Sequence, residues 1–262
     1  MSVRQRPQHV GEKPMNLLIV NPNTSDAMTE DIRRTVEQAK SPDVSVTVTG
    51  PDFGPEALES FYDYTLAAFG LCRLLEQRTE QYDGVLIACY GDPGLYAAKE
   101  ICDCPVIGIA EASISVSLLL GSRFSILTAS EKAVPMMENM VTQYGMQSRC
   151  AGVFPISMSV LDAEANRDEM VKRLIATGQR AVDAGAEVLI LGCAGMTGFS
   201  GPVSRTLGVP VMDPVETAYR ALEMMCRGNI GLSKKGLYKT PDKKNLKNEP
   251  LLTKNLFKEN LL

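Results

Sequence analysis

The chain contains no tryptophan and a single histidine, His9, which lies in the polar opening stretch MSVRQRPQHVGEKP. One histidine outside any apolar surroundings excludes a Ser-His-Asp or Cys-His catalytic arrangement and a histidine-ligated metal. Acid-base chemistry therefore falls to Cys, Asp, Glu, Lys or Tyr. No apolar run approaches the ~18 residues of a membrane-crossing helix, and the first 14 residues lack the apolar centre of a secretory signal. They read as a disordered leader, and the chain as cytoplasmic. No G-x-G-x-x-G or P-loop pattern occurs, so no nucleotide cofactor is expected.

Cysteine is the residue that is not scarce. Seven thiols are an odd number, spread through apolar and helical surroundings, which fits a reduced protein better than a disulfide framework. The only close pair, Cys102 and Cys104, has no second pair at zinc-site spacing, so no metal is expected. Charge is uneven: residues 229 to 262 carry +5 and the remainder −9. The basic tail has little aromatic interleaving, and the acidic body repels phosphate. A solvated tail is the expectation, not a nucleic-acid arm, although LLTKNLFKENLL can form a short amphipathic helix.

With 45% hydrophobic and 22% charged residues, the composition is that of a globular protein, and its apolar runs alternate strand and helix. Strands are expected at 17–20, 44–49 and 85–88, with helices at about 25–39 and 57–78 between them. The second half repeats the order: strands at 125–128, 152–156 and 188–191, helices at about 133–144 and 166–184. Three landmarks recur in register. Asn23 and Thr128 end equivalent strands 105 residues apart, Cys89 and Cys193 follow VLIA and VLILG 104 apart, and Pro105 and Pro210 are again 105 apart. The expected fold is α/β: two pseudo-symmetric parallel-sheet lobes, residues 15–120 and 121–228, with the active site in the cleft between them and a tail over 229–262. The final helix of one lobe is allowed to pack on the other.

Cys89 and Cys193 thus stand at the carboxyl ends of equivalent strands, where ligands bind in open α/β sheets, and each precedes a Gly-rich turn. Facing each other, a thiolate and a thiol can remove a proton from one side of a carbon and return one to the other, which inverts it without a cofactor. Backbone N–H groups of 90–92 and 194–196 are the candidate oxyanion donors. Asn21, Asn23, Thr24 and Ser25, with Thr128 and Ser130 in the second lobe, offer polar groups to a planar ligand, while Thr24 or Ser25 can equally cap a helix. Asp92 either assists the proton transfer or fixes its turn.

The stretches NPNTS, IACYGDPGL, GIAEA, FSILTAS and LGCAGM, running in order through residues 15 to 226, resemble the hydantoin and allantoin racemase branch of the aspartate/glutamate racemase superfamily. The resemblance implies cofactor-independent racemisation at C5 of a hydantoin ring, a place in purine catabolism if the substrate is allantoin, and homo-oligomers. It places the catalytic pair on Cys89 and Cys193, and substrate binding on Pro22, Asn23, Thr24, Gly91, Asp92, Thr128, Ser130, Ala194, Gly195 and Met196. The chain has C-Y-G and C-A-G where amino-acid racemases of the superfamily show C-N-T, which favours a cyclic amide. Ala57 and Ser60 stand where the branch carries Ser and Gly. An amino-acid racemase, a maleate-isomerase-like enzyme and a non-catalytic small-molecule binding module remain the alternatives. The expected partner is a small molecule, neither nucleic acid nor membrane.

Overall fold

The computed structural model describes residues 14–158 and 166–242. Two four-stranded parallel sheets repeat one topology. The first, in the order β2-β1-β3-β4, comprises β1 (Met15–Val20), β2 (Val44–Thr49), β3 (Gly84–Ile87) and β4 (Val106–Gly108). The second, in the order β6-β5-β7-β8, comprises β5 (Phe124–Thr128), β6 (Cys150–Pro155), β7 (Val188–Leu191) and β8 (Val211–Met212). The central strands are covered on both faces, which is why they read as unbroken apolar runs: Leu17 to Val20 and Val188 to Leu191 are wholly buried. Register places the ends of the two inner strands level in each lobe. Val20 pairs with Ile87 and Leu127 with Leu191, so the residues that follow emerge side by side at one rim.

The connecting helices begin where their caps dictate. Ser25 accepts a hydrogen bond from the Met28 N–H and starts α1 (Asp26–Ala39). Ser60 does the same from Asp63 and starts α2 (Phe61–Gln77), four residues later than the apolar pattern suggested, because the cap and not the first apolar residue sets the boundary. Next come α3 (Leu95–Ile101), α4 (Ile109–Ser117), α5 (Ala133–Gln143), α6 (Arg167–Asp183), α7 (Ser200–Leu207) and α8 (Pro214–Arg227). Among the described residues no helix is long and apolar enough to cross a membrane.

The lobes exchange their last helices. α8 leaves the second sheet and packs against β3 and α1, while α4 touches β7. Gly84 makes this approach possible, since a Cβ there would lie 2.8 Å from both the Leu222 side chain and the Cys226 sulfur. Glu223 accepts from Ser41 at 2.5 Å, and the Arg227 guanidinium holds both oxygens of Asp43 at 2.7 and 2.9 Å. In consequence Leu17, Ile19 and Leu86 share one core with Ile126, Ile190 and Tyr219.

Part of the tail is placed. Lys234 Nζ donates to the carbonyls of Lys99 and Glu100 at 2.8 Å, satisfying the end of α3, and Tyr238 stacks on Tyr96. The expectation of a wholly solvated tail therefore does not hold over these residues. LLTKNLFKENLL and the opening 13 residues lie outside the described residues.

Candidate active site

β3 and β7 run directly into the two cysteines. After Ala88, whose N–H donates to the Val20 carbonyl at 2.8 Å, the chain leaves the sheet at Cys89 and folds back at once: Gly91 and Asp92 N–H both donate to the Cys89 carbonyl at 3.0 Å. Asp92 takes a positive φ of 45°, a conformation tolerated by Asp more readily than by most residues, and Gly94 caps α3 at φ 76°. The second lobe repeats the pattern. Gly192 N–H donates to Leu127 at 2.8 Å, and a single 3₁₀ turn over Ala194–Met196 closes with Met196 N–H on the Cys193 carbonyl at 3.1 Å.

Both thiols are partly accessible. Burial pushes the Cys89 thiol well above its ordinary value, and charge on Cys193 and then on Asp92 pushes it further. Burial raises Cys193 too, but the Gly195 N–H donates to its sulfur and pulls the other way. Two consequences follow. The sulfurs are close enough for the charge of one to oppose ionisation of the other, so the pair favours one thiolate and one thiol over two thiolates. The Gly195 N–H on the Cys193 sulfur is a donor that favours the thiolate on that side.

Not every donor expected near the thiols is free. Gly91, Asp92 and Met196 spend their N–H groups on the cysteine carbonyls and Gly195 on a sulfur, which leaves Tyr90 and Ala194 N–H without a protein acceptor among the described residues. These two groups follow the two cysteines directly and are pseudo-symmetric. Of the other expected site residues, Asn23 is buried: its Oδ1 accepts from Asn21 Nδ2 at 2.6 Å and from the Ser25 N–H at 2.9 Å, so its side chain shapes the first loop from within. Pro22 is buried beside it. Thr24 is held through its N–H and Oγ1 by the carbonyls of Pro55 and Gly54. Asn23 and Thr24 line a polar recess with Arg33, whose guanidinium is engaged by Glu30 and the Val48 carbonyl. Thr128 is buried at the end of β5, and Ser130 is exposed. Asp92 fixes its turn. Its carboxylate accepts from Ala110 and Glu111 N–H and from the Tyr144 hydroxyl, while burial holds its pKa up to about 7 against those donors.

Tyr64, in the first turn of α2, gives no signal in the sequence beyond its place after a helix cap. The structure lays it over the first turn: a Cβ on Gly91 would lie 2.5 Å from its ring and hydroxyl. Burial raises its phenol first, then charge on Cys89, Cys193 and Asp92, so it remains a protonated donor facing both thiols. Among the described residues no cluster of His, Cys, Asp and Glu is arranged to hold a metal ion.

The chain as a whole is similar to known proteins. The family model for Asp/Glu/hydantoin racemases matches residues 17–222. A hydantoin racemase of Pseudomonas sp. (strain NS671) is 38% identical over 232 residues, 88% of this chain and 93% of that protein. Among solved structures, allantoin racemase from Klebsiella pneumoniae superimposes with a TM-score of 0.84 at 33% identity, covering 90% of this chain and 97% of its own. Allantoin racemase from Pseudomonas fluorescens gives a TM-score of 0.85 at 31% identity, with 89% and 100% covered. The family-model match over residues 17–222, a relative 38% identical over 88% of the chain, and the shared two-lobed parallel-sheet fold make this chain a member of the Asp/Glu/hydantoin racemase family.

Proposed function

We propose that the protein racemises allantoin or another 5-substituted hydantoin by transferring protons between C5 and the Cys89 and Cys193 thiols. The observation that carries this reading is the pair itself: two thiols at equivalent strand ends, each within electrostatic reach of the phenol of Tyr64, and coupled so that one charge is favoured over two. In one direction the Cys193 thiolate takes the C5 proton. The S–H bond forms as C5–H breaks, and the electron pair moves into the adjacent carbonyl as an enolate. Tyr90 and Ala194 N–H are the donors left to hold that oxygen. Cys89 then gives its proton to the opposite face of C5, the carbonyl re-forms, and Cys89 is left as thiolate. The other enantiomer exchanges the two roles, and no cofactor is required. The hydantoin and allantoin racemases named above support the choice of substrate class. The seven free thiols fit a reducing cytoplasm, and assembly as a homo-oligomer belongs to the same proposal on the resemblance alone.

Two results are expected from kinetics. Since burial raises both thiols, the fraction of free enzyme carrying a thiolate is small at neutral pH and grows as pH rises. kcat/KM should therefore climb by up to about tenfold per unit from pH 7 toward 9, turning over only where both thiols ionise. A flat profile over that range would remove the thiolate as base. Removing the Tyr64 hydroxyl alone, as Tyr64→Phe, should lower kcat about tenfold while the far-UV circular dichroism is unchanged, since the ring that packs over Gly91 is kept and only the donor near the thiols is lost. Wild-type turnover in Tyr64→Phe would make the residue a wall and not a donor. The test of the function itself is loss of optical activity from enantiopure allantoin and from a panel of 5-substituted hydantoins. Saturable binding with the optical signal intact would mark a binding module.

A further inference from the structure

Two buried carboxylates occupy matching places beside the two thiols, and the chain supplies them in opposite ways. In the first lobe the carboxylate belongs to the turn after the cysteine. Asp92 Oδ1 and Oδ2 accept from the Ala110 and Glu111 N–H at the start of α4, at 3.1 and 2.7 Å. The cap position of that helix is Gly108, where a Cβ would lie 2.1 Å from Asp92 Oδ1. In the second lobe the carboxylate is the cap. Asp213 Oδ1 accepts from the Val215 and Glu216 N–H at the start of α8, at 3.0 and 3.2 Å. Here the turn after the cysteine supplies donors: Thr197 Oγ1 and Gly198 N–H reach Asp213 Oδ2 at 2.6 and 2.9 Å. Both arrangements tie a post-cysteine turn to a helix N-terminus, where the helix dipole favours the negative charge.

Each knot is completed by a hydroxyl from the other lobe's first helix. Tyr144, which ends α5, donates to Asp92 Oδ2 at 2.6 Å, and Thr35 of α1 lies 2.8 Å from Thr197 Oγ1. We propose that Tyr144 and Thr35 are positioning residues that act crosswise, Tyr144 fixing the turn that carries Cys89 and Thr35 fixing the turn that carries Cys193. Each lobe thus holds the other's thiol loop, and two short links set the spacing across which a proton must pass. That spacing matters because proton transfer on both faces of one carbon needs both sulfurs within contact distance of it. The links themselves need no substrate; only their effect on rate rests on the two-thiol function.

Hydrogen–deuterium exchange read by mass spectrometry on the full chain separates the two links. Tyr144→Phe should speed exchange in peptides covering 88–95 by roughly five- to tenfold and leave 193–199 within about twofold, and Thr35→Val should do the reverse, the range expected for one lost hydrogen bond. In each variant kcat for a 5-substituted hydantoin should fall about tenfold with KM within about twofold, and Thr35→Ser, which keeps the hydroxyl, should retain wild-type turnover. Exchange that rises equally in both turns, or in neither, overturns the crosswise links. So does a raised KM with kcat preserved. If Tyr144→Phe does not fold, Thr35→Val and Thr35→Ser carry the same test on the second link. A wild-type protein that racemises no hydantoin would instead overturn the function while the exchange result stands on its own.

Discussion

Replacing Cys89 or Cys193 with serine is expected to lower racemisation by at least about a thousandfold, because a hydroxyl is far too weak an acid to ionise beside a buried thiol and each variant loses the acid or base on one face. The substitution is close to isosteric, and each cysteine is followed by a turn closed through its own backbone carbonyl, so the fold should survive. The two variants should differ from an inert protein in one respect. Cys89→Ser keeps Cys193, with the Gly195 N–H on its sulfur, and loses the neighbouring thiol that shares its charge. Such a site can still remove and return a proton on one face. In D2O it should exchange the C5 hydrogen of one enantiomer without inverting it, and Cys193→Ser should favour the other enantiomer. Measurable inversion near the wild-type rate in either variant would falsify the two-thiol mechanism.

Gly108→Ala is expected to be the most damaging small substitution outside the thiols. Its Cβ would lie 2.1 Å from the Asp92 carboxylate, and Asp92 has nowhere to go: it is buried, held by three donors, and set in a backbone conformation with positive φ. Either the turn shifts and carries Cys89 with it, or the start of α4 gives way. A loss of about 3 kcal/mol in urea unfolding and roughly a hundredfold in kcat are expected, the upper end for an overpacked core with a misplaced catalytic group. Gly231→Ala, where an added Cβ meets nothing within 4 Å, should change stability by less than about 0.5 kcal/mol. Pairing Gly108→Ala with Asp92→Gly should restore part of the lost stability but not the rate, since the clash is relieved while the tether is gone.

The carboxyl of Asp92 also links stability to pH. Its pKa rises from the ordinary carboxylate range to about 7 on folding, so its contribution is fully present below about pH 4 and is lost as pH rises through 7. Tyr144, Glu111, Tyr64 and Cys89 face it, and the Tyr144 hydroxyl and the Glu111 N–H donate directly to it.

The features legible in the sequence were those written locally. Val85–Ala88 and Val188–Leu191 are short branched runs that end at a Gly-rich turn, and their spacing along the chain announced the repeat and the cysteine pair. Helix ends set by serine caps were less clear, as the late start of α2 at Phe61 shows. The cross-lobe contacts left no local trace. Thr35 and Thr197 meet across 162 residues and Tyr144 and Asp92 across 52, and nothing in TVEQ or TQYG singles out either hydroxyl. Tyr64 is hidden for the same reason, being defined by the glycine its ring covers in a different segment. The polar loop NPNTS was legible as a loop, but its asparagines turned out to bond chiefly to the loop itself, because buried amides must satisfy their own donors and acceptors first.

The most direct measurement on the two-thiol reading follows one enantiomer of allantoin, and of a 5-substituted hydantoin, in D2O with the wild-type protein, recording optical rotation and the C5 signal by NMR together. Rotation should decay to zero, and each inverted molecule should carry deuterium at C5, delivered from a solvent-exchanged thiol on the face opposite the one deprotonated. Rotation that holds steady while the ligand binds, or inversion with the original C5 hydrogen fully retained, would show that Cys89 and Cys193 do not work as an opposed acid and base.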